Sequence, residues 1–114
     1  MGKVVIIAIL SILLISIFLI GCAPSPEKLE TLASCLTEKG AVMYGAYWCS
    51  HCQEQKKEFG AAFSKVTYVE CEVQKQKCAD ENIQGLPTWK FADGSSLSGA
   101  QEFSALAKKA GCEW

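Results

Sequence analysis

Arginine is absent from all 114 residues, so every basic side chain is a lysine. Without a planar guanidinium fork, bidentate recognition of phosphate is unavailable. The eleven lysines are interspersed with twelve acidic residues, for a formal net charge of −1. No basic patch results, which argues against a nucleic-acid partner. Histidine occurs once, at His51, and no second Cys/His pair stands at ligand spacing, so the pattern offers no metal site. Internal repeats are lacking, as are low-complexity segments beyond the N-terminal apolar run.

That run is the first positive feature. Lys3 is followed by apolar residues from 4 to 20, interrupted only by Ser11 and Ser16. One positive charge, an apolar stretch and small residues behind it predict an export signal. The stretch is near the lower limit for spanning a bilayer, so an uncleaved anchor is the other reading. Leu19-Ile20-Gly21-Cys22 resembles the lipobox of exported lipoproteins, which makes Cys22 the expected lipid attachment; an incidental cysteine beside a plain signal or anchor is the alternative. The chain divides accordingly into a signal or anchor (1–21), a proline-containing tether (22–26) and a folded domain (27–114). The expected location is the extracytoplasmic face of a membrane, held by lipid or by the apolar segment.

The domain holds six cysteines: Cys35, Cys49, Cys52, Cys71, Cys78 and Cys112. An even number in a small exported domain with a modest core suggests pairing. Cys49 and Cys52 differ from the rest by context. They follow an apolar run, 42–47, and open a helix-like segment. A strand that delivers Cys-x-x-Cys to a helix N-terminus places the first sulfur where backbone N–H groups and the helix dipole stabilise a thiolate. The thiolate is the attacking species in thiol–disulfide exchange, which makes Cys49 the expected nucleophile, exposed at the helix start, and Cys52 the buried resolving thiol. Covalent haem is disfavoured because Gln53, not histidine, follows Cys52. His51 lies inside the motif and is expected to stabilise the Cys49 thiolate, making the disulfide more oxidising. The redox-active Cys49–Cys52 disulfide needs no further cofactor.

Periodicity predicts a helix over 27–37, with Ser25 as cap and Pro26 at its first position, closed by Gly40. A buried strand over 41–47 follows, then a helix over 49–62 with Phe59, Ala62 and Phe63 inward and its Gln, Glu and Lys residues on the other side. A strand over 66–71, a short helix over 74–81 and a turn at Gly85-Leu86-Pro87 come next. Strands 88–91 and 96–98 form a hairpin around Ala92-Asp93-Gly94. A helix over 101–110, capped by Gly111, completes the chain. This order implies an α/β fold: a mixed central sheet with helices on both faces.

Three features together resemble the thioredoxin fold: Trp48 directly before Cys49-Ser50-His51-Cys52, the later Gly85-Leu86-Pro87-Thr88, and the Asp93-Gly94 hairpin followed by a helix. Within that superfamily the chain is similar to thioredoxin-like domains fused to, or working beside, vitamin K epoxide reductase homologues. The stretches carrying that likeness are Met43 through Lys57, Val69-Glu70-Cys71, and Gly85-Leu86-Pro87-Thr88-Trp89. The resemblance implies a protein thiol–disulfide oxidoreductase that donates disulfides to thiol-containing exported proteins and is reoxidised by a membrane quinone reductase. The alternatives are an exported thioredoxin-like reductase and a redox-inert thioredoxin-fold binding module.

The same resemblance implies a cis peptide before Pro87 and a substrate groove formed by Leu86 and Pro87, with Trp48 and Tyr47 as its apolar wall. It also implies a Cys71–Cys78 disulfide, either structural or passing electrons to Cys49–Cys52. Cys35 and Cys112 are then left to pair with each other, although in the usual fold their helices lie on opposite faces of the sheet; the four cysteines allow three connectivities, and the sequence does not choose among them. Two departures accompany the likeness. The first strand of a full thioredoxin is absent, giving a trimmed fold. Where thioredoxins keep a buried acid, six residues before the first redox cysteine, this chain has Met43, so the proton for Cys52 comes from elsewhere, with water and Glu54 as the candidates.

Overall fold

The computed structural model describes residues 1–17 and 21–114. Most of the apolar run forms helix α1 (Gly2–Ile17). Among the described residues no helix is long and apolar enough to cross a membrane. Leu19 and Ile20, half of the expected lipid-attachment motif, lie outside the described residues. Cys22 is exposed and unpaired.

The domain begins with α2 (Pro26–Glu38), whose first turn is organised by Ser25: its hydroxyl accepts a hydrogen bond from the Lys28 N–H at 3.2 Å. Leu29, Leu32, Ala33 and Leu36 form its buried stripe. The chain then runs through β1 (Val42–Gly45), α3 (Ser50–Phe59), a 3₁₀ helix (Gly60–Lys65), β2 (Tyr68–Glu70), α4 (Lys75–Asp80), β3 (Thr88–Lys90), β4 (Ser96–Ser98) and α5 (Phe103–Ala110). The helix expected to run unbroken to 62 changes at Gly60, which adopts φ +57°, a conformation open to glycine at little cost. The tighter 3₁₀ turns that follow still bring Ala62 into the core.

The four strands lie in the order β2-β1-β3-β4. β1 is parallel to β2 and antiparallel to β3, and β3 is antiparallel to β4, so the sheet is mixed. No strand precedes β1 among the described residues, so the fold is the trimmed one. Register sorts the side chains by the two-residue period of a strand. Met43 pairs with Tyr68 and Trp89, and these share one face. Tyr44 pairs with Val69 and Thr88 on the other. The first face carries the main core, with Leu29, Leu32 and Leu36 from α2, Phe59 from α3 and Leu106 from α5. The second carries a smaller cluster of Tyr44, Val69 and Cys78, beneath α4.

This distribution corrects the expectation that α2 and α5 lie on opposite faces. Both pack into the Met43–Trp89 cluster, and a Cys35–Cys112 disulfide joins them across a Cα separation of 6.1 Å. With α4 the helix covering the Tyr44–Val69 face, the remaining apolar stripes converge on the opposite one.

A second correction concerns Gln55, assigned by composition to the solvent side of α3. It is fully buried. Its Oε1 accepts from Trp89 Nε1 at 3.2 Å and from the Gln101 backbone N–H at 2.7 Å. Its Nε2 donates to the Gln101 carbonyl at 3.2 Å and to Glu58 Oε2 at 3.1 Å. One amide thus ties α3, β3 and the approach to α5 together, and every polar atom of it is partnered, as burial requires. Gln55→Ala strands the buried Trp89 and Gln101 N–H donors and opens a cavity; the expected loss is about 3 kcal/mol, read as a lowered urea midpoint, with Gln55→Met recovering only the packing share.

Candidate active site

The site begins with how α3 starts. Cys49 is its N-cap, in extended conformation with φ −77° and ψ 114°. Its Sγ accepts a hydrogen bond from the Cys52 backbone N–H at 3.2 Å. Its own N–H donates to the Ala46 carbonyl at 3.1 Å, and its carbonyl accepts from Gln53 N–H at 3.1 Å. Gln53 reaches back to donate from Nε2 to the Tyr47 carbonyl at 2.6 Å, which fixes the turn between β1 and α3. No acidic residue stands in the first turn to oppose a sulfur anion. A sulfur in the N-cap position facing a free backbone N–H is the arrangement that lowers a thiol's pKa.

Cys49 and Cys52 are disulfide-linked, with Cα atoms 5.2 Å apart. Cys52 is fully buried and Cys49 is 6% exposed. The expectation of an openly exposed Cys49 is therefore corrected: neighbouring side chains screen it, and it meets the surface along the wall of a groove. The groove has a volume of about 310 Å³ and is lined by Trp48, Cys49, Cys71, Cys78, Ile83 and Leu86, among others. The Cys71–Cys78 disulfide, with Cα atoms 5.7 Å apart, thus opens on the same groove as Cys49.

The remaining expected site residues separate. The Leu86–Pro87 peptide is cis. Leu86 lines the groove, whereas Pro87 is fully buried and is not part of its lining. Trp48 is 59% exposed and forms part of the groove wall, its Nε1 donating to Glu72 Oε1 at 2.9 Å. Tyr47 is 69% exposed and is not part of that wall. The His51 ring turns outward: its Nδ1 lies 3.2 Å from Glu54 Oε2, with both side chains well exposed. Glu54 is thereby engaged with His51 at the surface. Among the described residues no group of three His, Cys, Asp or Glu side chains is placed to hold a metal ion.

The structure adds residues that motif reading passed over. Gly45 ends β1 directly under the redox turn. A Cβ there would meet Tyr68 Cε2 at 2.9 Å, and both Cys52 Sγ and Tyr68 Oη at 3.0 Å. Only a glycine leaves room for the sulfur and the ring together. Tyr68 Oη donates to Glu70 Oε2 at 2.9 Å, and Lys56 Nζ of α3 sits 3.8 Å from the centre of the Tyr68 ring. The available sequence signals were a glycine inside a strand, which often marks close approach of another group, and a Tyr-x-Glu spacing that puts two polar side chains on one face.

The model of the thioredoxin family matches residues 30–111. This chain belongs to the thioredoxin family. It is also similar to the thiol-disulfide oxidoreductase LTO1 of Arabidopsis thaliana, 44% identical over 101 residues that cover 81% of this chain and 26% of that protein. The chain therefore spans about a quarter of that relative's length. Among solved structures it is similar to the thioredoxin of Fasciola hepatica, with a TM-score of 0.50 and 21% identity over 67% of this chain and 85% of that one. That likeness concerns the fold alone.

Burial, followed by the Glu70 carboxylate, pushes the Tyr68 phenol well above its ordinary value of 10.0. Burial and Glu81 raise Tyr44 as well, while Lys90 acts in the opposite direction. A raised phenol pKa means the folded state holds the proton more tightly than the unfolded chain does. The associated stability is complete below the unfolded value, near pH 10, and is lost as pH rises beyond it. Urea midpoints measured from about pH 9 to about pH 11 should therefore fall less steeply in Tyr68→Phe than in the parent chain.

Proposed function

We propose that this chain is a membrane-tethered thiol–disulfide oxidoreductase on the extracytoplasmic face of a membrane. In this reading it donates disulfides to thiol-containing exported proteins through its Cys-Ser-His-Cys centre. A membrane quinone reductase of the vitamin K epoxide reductase type, or a similar one, reoxidises it. The observation that carries the reading is the Cys49–Cys52 pair at the start of α3, one sulfur on the groove wall and the other sealed behind it. The name of the Arabidopsis relative, a thiol-disulfide oxidoreductase, supports the same chemistry for the matched region. The apolar run and the Leu19-Ile20-Gly21-Cys22 motif support tethering through Cys22 or through the N-terminal segment.

The chemistry is an exchange of bonds. A client thiolate attacks Cys49 Sγ, the Cys49–Cys52 bond breaks, and Cys52 leaves with the electron pair. A second client thiolate then attacks the client sulfur of the mixed disulfide, releasing Cys49 as thiolate and leaving the client oxidised. The two electrons gained by the chain pass to the membrane partner. Attack is directed at Cys49 because Cys52 is sealed from solvent. Leu86 and Trp48 supply the apolar wall against which an extended client segment lies.

One observation favours the alternative of an exported reductase. His51 pairs with Glu54 rather than with Cys49, which lessens its electrostatic support for the thiolate. The reduction potential separates the two. The full chain in detergent, equilibrated with glutathione buffers, is expected to give a value above about −220 mV, in the range of disulfide isomerases and oxidases. A value near or below about −270 mV overturns the oxidase direction and identifies a reductase. Cys52→Ser should accumulate mixed disulfides with clients and Cys49→Ser none; a redox-inert binding module accumulates none with either.

A further inference from the structure

Resting on the thiol-exchange reading, the inference concerns how Cys52 exchanges its proton. Its sulfur alternates between a disulfide and a thiol, yet the residue is fully buried. Bulk water has no direct approach. Met43, beneath it on β1, carries no ionisable group, and Glu54 is committed at the surface to His51. One ionisable pair packs over Gly45 together with the sulfur. Cys52 Sγ and Tyr68 Oη both border the space over the Gly45 Cα, each 3.0 Å from the point a Cβ would occupy. From there Tyr68 Oη donates to Glu70 Oε2 at 2.9 Å. Glu70 is only half-buried, and its other carboxylate oxygen accepts from the Glu72 backbone N–H at 3.3 Å, toward the exposed turn after β2.

We propose that Tyr68 and Glu70 form a proton relay between Cys52 and solvent. When Cys52 resolves a mixed disulfide, its S–H proton passes to Tyr68 Oη as the Tyr68 proton passes to Glu70 Oε2. The Cys52 electron pair forms the bond to Cys49 Sγ. The bond between Cys49 and the client sulfur breaks, and its electron pair leaves with the client. Cys52 is oxidised and the client sulfur reduced. In the oxidase direction a client thiolate attacks Cys49 Sγ, and Cys52 departs with its electron pair. It then takes a proton from Tyr68, which Glu70, protonated from solvent, resupplies. The phenol stays neutral throughout because it gives and receives a proton together. The ionisable groups facing Tyr68 are Cys52 and Lys56 from α3 and Glu70 from its own strand, while the 3₁₀ helix presents the Phe63 ring.

The test uses the reduced full chain in detergent, mixed with oxidised glutathione, quenched by alkylation and followed by intact mass. The glutathione adduct on Cys49 forms and then decays as Cys52 resolves it. In Tyr68→Phe and in Glu70→Gln, adduct formation should keep the parent rate, while decay near neutral pH slows by roughly a hundredfold, the low end of what a positioned acid–base group supplies. The deficit should close above about pH 10, where the thiol ionises without help. Decay at the parent rate, or a slowing equal at every pH, overturns the relay and leaves thiol exchange standing. Failure of the parent chain to form any adduct overturns thiol exchange, and the relay with it.

Discussion

The absent side chain at Gly45 is the constraint on which this site is built. β1 is an interior strand of the sheet, and its last residue lies under the turn that carries the cysteines. Because nothing projects from Gly45, the Cys52 sulfur and the Tyr68 ring both settle against the strand, at distances a methyl group would forbid. That close approach seats the first turn of α3 on the sheet. It buries Cys52 completely while Cys49, one turn earlier, stays at the groove wall. The asymmetry between the two sulfurs follows from this seating: one lies on the groove wall, and the other is sealed from solvent.

Buried polarity holds the seat in place. The Gln55 amide, one turn beyond Cys52, is bonded to Trp89 in β3 and to Gln101 before α5. Its neighbours on the same stripe, Cys52 and Phe59, point into the same core. An unpartnered amide there would be costly, so the pairing fixes the rotation of α3 about its axis as well as its position. Rotation decides which sulfur faces the groove. The Cys35–Cys112 link closes the far side of the same core by fastening α2 to the segment after α5.

Much of this was legible in the sequence, and for identifiable reasons. Ser25 and Pro26 mark the start of α2 through local hydrogen bonding and a preset backbone angle, neither of which depends on the rest of the chain. Gly111 ends α5 in the left-handed conformation for an equally local reason. The unbroken apolar run of β1 reflects burial on both faces, and the helical spacing of α2 and α5 reflects burial on one side, so the pattern of apolar residues exposes all three. Gln55 was not legible, because a glutamine's address depends on whether partners exist across the core. His51 was read toward Cys49 from its place in the motif, yet its ring turns to Glu54, three residues on along the same helix. Tyr68 and Glu70 were unremarkable as sequence because their relation to Cys52 is one of distance, across a parallel strand pair.

The sequence by itself therefore determined the elements and the Cys-x-x-Cys pair at a helix start, because each rests on short-range chemistry or on a repeating pattern of burial, while the trimmed thioredoxin fold was legible through resemblance to that family. The tertiary structure alone decided that α2 and α5 share a face, that Gln55 is a core residue, and that Tyr68 packs over Gly45 with Cys52. Those facts arise from packing between segments far apart in the chain. Packing is settled by which surfaces can be covered together without leaving a cavity or an unpaired polar group, and no single stretch of sequence contains that condition.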